Sequence, residues 1–360
     1  MSTEILHGDV RARVQWIDAA RALCVLAVVV MHTTISLLVV VEHTQVDVVW
    51  RQVVDAMTPF RMPALSLLSG MLLARRIRAG WSDRSVRASA ALSYWIYVVW
   101  LLVFLLIAVG VGWSMWLGPL GAGTPYQGAR AFVDQLILPT SVLWYVMALA
   151  IWTVVLAAVH KVSPAAVLIV LGTISVMSFY LPGDGGDQYR NVLRYFVFFA
   201  VGVYAASRFR GEVSHRPVRA AGIAVAVFTG VAFIAKFGVD GNVGNILTVP
   251  RDISGAVIVM VLALALTKVP GLGRALAWTG RRTLPIYVMH VPLLELLTMF
   301  PTWWLGALDN GIVHALAPVA ITLAITAASV GTHALVVRTP ARVVFMLPEA
   351  WRRRILREGR

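Results

Sequence analysis

Charge is scarce in this chain. Only 13% of its 360 residues are charged, against about 25% in a soluble domain. Cysteine is nearly absent as well: the single Cys24 excludes a disulfide within the chain and a cysteine-rich metal site. The histidines lack the i, i+4 spacing of paired helical ligands, so no metal is expected. Acidic residues number 17 against 31 Lys and Arg, which leaves a net charge of +14. What fills the chain instead is apolar: 59% of residues are hydrophobic, and the mean hydropathy is +0.80. That composition excludes a soluble globular protein and a disordered one.

Uncharged apolar runs recur along the whole length. They predict an all-α membrane protein, a polytopic bundle of about ten transmembrane helices near 17–40, 55–74, 88–112, 141–159, 164–181, 191–207, 220–238, 252–268, 283–300 and 311–337. Such helices use roughly 200 residues, which leaves no room for a sizeable soluble domain. The reading divides the chain into a membrane domain over 1–340 and a basic tail over 341–360. The longest connection, 113–140, carries Trp113 and Trp116 and reads as a surface loop or a segment along the outer interface.

The placement of the basic residues gives the orientation. With the N-terminus cytoplasmic, the inside segments hold 23 Lys and Arg and the outside connections hold 5. Both termini are then expected in the cytoplasm, across a plasma (inner) membrane, with the basic face toward its anionic leaflet. The excess positive charge is explained by the lipid bilayer, and nucleic acid is not needed as a partner.

Three arginines fall inside predicted spans: Arg21, Arg61 and Arg194. A guanidinium in hydrocarbon costs at least about 2.5 kcal/mol, so each calls for an account. His32, His290 and Glu295 also lie within spans. Counting 1.5 Å per residue puts His32 about 22 Å from the cytoplasmic edge and Arg21 about 6 Å from it. The same count puts His290 about 10 Å and Glu295 about 18 Å above that edge, with Arg61 and Arg194 in the outer half. Eleven positions separate Arg21 from His32, three turns plus about 20°, so both point to one helix face. Alternatives stay open: Arg21 can snorkel and pair with Asp18, and the histidines and Glu295 can be packing residues.

Local motifs add to this. Asp18, Arg21 and His32, with the surrounding Trp16-Ile-Asp18-Ala-Ala-Arg21-Ala, resemble the opening of the acyltransferase 3 family of integral membrane O-acyltransferases. Phe60-Arg61-Met62-Pro63 with Leu68-Ser69-Gly70-Met71-Leu72 is similar to further family elements. So are Leu143-Trp144-Tyr145-Val146, Arg194-Tyr195-Phe196 with Phe199-Ala-Val-Gly202, and Gly280-Arg-Arg-Thr-Leu-Pro-Ile-Tyr287-Val-Met-His290. Ala22 stands where the family commonly has Gly.

The resemblance implies an acyl-CoA donor, acetyl-CoA above others, used as a substrate and not held permanently. It implies a carbohydrate or glycolipid hydroxyl as acceptor, with cell-envelope polysaccharide O-acetylation as the setting. On that reading His32 is the general base and Glu295 orients the ring or the sugar. Arg21 positions the donor, Arg61 and Arg194 hold the acceptor or the developing oxyanion, and Trp144 and His290 line the substrate path. The competing class is a secondary transporter or a flippase of a lipid-linked sugar. Pro59 and Pro63 interrupt the second span as in broken transporter helices, but no matching pair follows in the second half.

Overall fold

A backbone in hydrocarbon must satisfy its own N–H and C=O groups, and an apolar run does so as a helix. The computed structural model describes residues 2–40, 45–111, 125–182, 188–237, 241–299 and 304–357. The helices in chain order are α1 (Ser2–Val40), α2 (Gln45–Ala56), α3 (Met62–Arg78), α4 (Arg84–Val111), α5 (Pro125–Gln135), α6 (Trp144–Ala158) and α7 (Pro164–Met177). They continue as α8 (Tyr189–His215), α9 (Pro217–Phe237), α10 (Gly241–Leu266), α11 (Leu272–Gly280), α12 (Thr283–Thr298), α13 (Gly311–Val336) and α14 (Glu349–Arg357). No strand occurs among the described residues.

Each of the ten segments expected to span carries a helix. Six are long and apolar enough to cross a membrane: Gln15–Leu38, Arg84–Gly110, Tyr189–His215, Pro217–Ala235, Val243–Leu266 and Gly311–Val336. Three more, Trp144–Ala158, Pro164–Tyr180 and Thr283–Thr298, are apolar but shorter. α3 is short and ends in Arg75, Arg76 and Arg78. The outer faces are apolar: Phe233 and Phe237 of α9, Ile169 of α7 and Leu323 of α13 are all exposed, as residues facing lipid would be.

The bundle is organised around α1, which packs against α3, α10, α11, α12 and α13. Its closest crossings use glycine. A Cβ added at Gly280 would overlap the Asp18 carbonyl, so α11 lies directly on the α1 backbone. Gly70 and Gly202 play this part reciprocally between α3 and α8. A Cβ on the first would overlap the Phe199 carbonyl, and one on the second the Leu67 carbonyl. Without a hydrophobic driving force between helices in lipid, such close approach is what dispersion needs.

Helix ends follow from local chemistry. Pro59 and Pro63 lack N–H donors, and the second span breaks there into a 3₁₀ turn, Thr58–Phe60, followed by α3. Asp83 caps α4 by accepting the Ser85 N–H at 2.7 Å. That bond, with the Ser85 hydroxyl, holds the Asp83 carboxyl below the usual carboxylate range.

Besides α14 in the tail, three helices were not visible as spans. Amphipathic α2 is tied to α13 by Trp50 Nε1 donating to the Ala315 carbonyl at 3.0 Å and by the buried pair His314–Asp47 at 2.9 Å. α5 occupies the second half of the connection expected as a loop, and Tyr97 donates to the Gln135 carbonyl at its end. Trp113 and Trp116 lie outside the described residues. α11 leads into α12. The basic tail folds back on α4: the indoles of Trp95 and Trp100 donate to the carbonyls of Val343 and Val344, and Trp351 packs on Trp95 with ring centroids 5.2 Å apart.

Candidate functional site

α1 and α12 run parallel and present a two-rung polar face. On α12, Thr283, Tyr287 and His290 follow the i, i+4, i+7 spacing of one helix side. On α1, Arg21 and His32 share a face in the same way. The rungs join Arg21 to Thr283 and His32 to His290.

At the first rung, Arg21 Nη2 donates to Thr283 Oγ1 at 2.7 Å. Asp18 lies 3.8 Å from Arg21 and 3.8 Å from Arg281. Pairing with Asp18 and a place in the interior are therefore not alternatives for Arg21; it has both. Beside it is a cavity of ≈ 60 Å³ lined by Arg21, Ser69, Tyr145, Thr283 and Tyr287 together with aliphatic side chains. Its polar groups are fixed in place. The Tyr145 hydroxyl lies 2.8 Å from Ser69 Oγ and donates to the Leu65 carbonyl at 3.1 Å, and the Tyr287 hydroxyl donates to the Val142 carbonyl at 2.6 Å.

At the second rung, the rings of His32 and His290 are 5.0 Å apart between centroids. The Tyr287 ring, 5.7 Å from that of His290, bridges this pair to the Arg21 cavity. His290 Nδ1 lies 2.6 Å from the Tyr287 carbonyl. A carbonyl only accepts, so this bond assigns the hydrogen to Nδ1 and leaves Nε2 as an acceptor in the neutral ring. That Nε2 is buried and has no hydrogen-bond partner among the described residues.

Depth counting placed His290 about 12 Å below His32; the structure brings them into contact. The difference arises because α12 starts beside Arg21, one turn into the span expected from residue 17, and not at the start of that span. That shift supplies about 6 Å, and the two side chains span the rest.

Arg61 sits at the break between the 3₁₀ turn and α3, where its backbone (φ −88, ψ −84) leaves the helical region. Its Nη2 donates to Thr58 Oγ1 at 2.9 Å, while Nη1 is buried with no partner among the described residues. Its charge is within electrostatic reach of both His32 and Tyr195. A buried cation with a free N–H favours an anion beside it.

Beyond Arg61 lies a cluster that sequence reasoning only half found. Arg194 stacks over Phe179 at 4.4 Å and lies 4.0 Å from the Asp252 carboxylate. Arg251 grips the same carboxylate with two bonds at 2.8 and 2.9 Å. Trp144 stacks on Tyr195 with centroids 5.6 Å apart. Arg251 counts in the sequence as a residue of an outside connection, and Asp252 opens an expected span. Nothing in linear spacing ties either of them to Arg194.

Glu295 is buried on α12. Five residues beyond His290, it is turned about 140° from it and displaced about 7.5 Å along the axis, so it does not continue the Thr283–Tyr287–His290 face. Cys24 is buried, with Sγ 3.7 Å from the Phe60 carbonyl. Among the described residues no group of three or more His, Cys, Asp or Glu is arranged to hold a metal.

The family model of the acyltransferase 3 group, described as an acyltransferase domain, matches residues 14–335. That stretch contains the polar face, Arg61 and the Arg194–Asp252 cluster. Comparison with curated proteins and with solved structures finds no match.

Proposed function

The chain belongs to the acyltransferase 3 family, and from that premise we propose the reaction of this multi-pass membrane acyltransferase. It transfers an acyl group, acetyl in the simplest case, from cytoplasmic acyl-CoA to a hydroxyl of a carbohydrate or glycolipid. Ten helices cross the plasma membrane in this reading, with both termini in the cytoplasm. The observation that supports it most is the polar line from Arg21 through Thr283 and Tyr287 to His290 and His32.

The donor enters past Arg21, whose half-buried guanidinium meets the pantetheine arm or its phosphate. The acceptor hydroxyl gives its proton to His32 as its oxygen attacks the thioester carbonyl. A C–O bond forms, and the carbonyl electron pair moves onto oxygen. The free N–H of Arg61 faces that oxyanion. As the oxyanion collapses, the C–S bond breaks and the CoA thiolate takes the proton back from the imidazole. Trp144 and Arg194 border the acceptor side, and Glu295 binds an acceptor hydroxyl. Direct transfer suits a chain whose only cysteine is already placed against the Phe60 carbonyl.

The test uses the purified protein in vesicles with labelled acetyl-CoA and candidate glycans. Label moves to a glycan with the wild type, and His32→Ala lowers that rate by about 10²–10⁴-fold while the protein stays folded. A His32→Ala variant as active as wild type would remove the base assignment. Sugar crossing the vesicle unmodified would point to a transporter.

A further inference from the structure

A second feature stands apart from the reaction. Between α4, α6 and α14 runs a groove of ≈ 570 Å³, within the range of about 300–1,000 Å³ for ligand sites. Ala90, Ala91, Ile151, Val154 and Ile355 form its apolar wall. Arg87 is the one charged residue in its lining, with Trp81 nearby. The Nε of Arg87 is buried and has no hydrogen-bond partner among the described residues.

We propose that this groove binds one anionic phospholipid, its phosphate on Arg87 and one acyl chain along the alanines of α4. Charge and polarity divide the site as such a molecule divides. The cation lies in the first turn of α4, where the helix enters the membrane from its basic end, and about 10 Å of apolar wall follows from Arg87 to Tyr94. Trp81 stands at the same end, as aromatic side chains do at headgroup level. A nucleotide carrier suits the groove poorly, since a single arginine would face several phosphates. Because Ile355 supplies the α14 side, the lipid also joins the tail helix to the bundle. The inference uses the membrane setting but none of the transfer chemistry.

Native mass spectrometry of the delipidated full chain tests it, with phosphatidylglycerol or phosphatidylcholine added. Wild type should retain phosphatidylglycerol about tenfold better than phosphatidylcholine, because the choline cation of the latter offsets the attraction of its phosphate to Arg87. Arg87→Gln should remove that preference, and Ala91→Phe should lower retention of both lipids by filling the groove. Equal retention of the two lipids by wild type, or an unchanged preference in Arg87→Gln, overturns the proposal. So does displacement of the bound lipid by acetyl-CoA, which would assign the groove to the donor. Retention is read without any transfer assay, so its failure and a failure of the proposed reaction are separate results.

Discussion

At the scale of single residues, the account rests on side chains whose polar atoms are either fixed or left open. His290 is fixed by its bond to the Tyr287 carbonyl, which leaves Nε2 as the open nitrogen of the ring. Arg61 is left open at Nη1. Arg61→Met keeps the bulk and removes the charge; it should lower kcat by about 10²–10³-fold, the loss typical of one oxyanion donor. Steady-state kinetics should show the donor KM little changed. A raised KM with normal kcat would make Arg61 a binding residue. Arg21→Ala should do the reverse and raise the acyl-CoA KM with a smaller effect on kcat. The Arg21–His32 face was legible in the sequence because eleven residues close on three turns. The Asp252 carboxylate beneath Arg194 was not, because Arg194 comes from α8 while Asp252 and its neighbour Arg251 lie on α10.

At the scale of helices, the crossing of α3 and α8 is closed by a glycine on each side. Gly70→Ala and Gly202→Ala each push a methyl into the opposite backbone. Each should cost about 1–3 kcal/mol, read as a lowered thermal midpoint in detergent. The double variant should cost less than the two together, because one relaxed crossing accommodates both methyls. Asp83→Ala removes the α4 cap and should cost about 1 kcal/mol. Since the Asp83 carboxyl is held below its usual range, its contribution is present at neutral pH and is lost as pH falls through the lowered value. Long uncharged runs made the spanning helices readable, and Pro59 with Pro63 made the break in the second span readable. Helices α2, α5 and α11 were missed because each is short and mixes polar with apolar positions. On α11, Leu276 and Ala277 are covered by packing, which hydropathy does not register.

At the scale of the whole molecule, apolar outer faces fit a bundle set across a bilayer. Orientation is testable with the protein's own cysteine content. In a Cys24→Ser background, Lys268→Cys should react with a membrane-impermeant maleimide only when the cytoplasmic face is open, and Asp309→Cys should react in intact cells. The reverse pattern would invert the topology. Depth counting alone does not give the relative levels of polar groups on different helices, since α12 begins beside Arg21, four residues beyond the start of the first expected span.

The most direct trial of the account is a structure with a non-hydrolysable acyl-CoA bound. The donor should thread past Arg21 and Tyr287, with its carbonyl carbon within about 4–5 Å of the His32 ring, close enough for a hydroxyl held between them to react. A carbonyl carbon outside the bundle, or beside a group remote from both histidines, would contradict it.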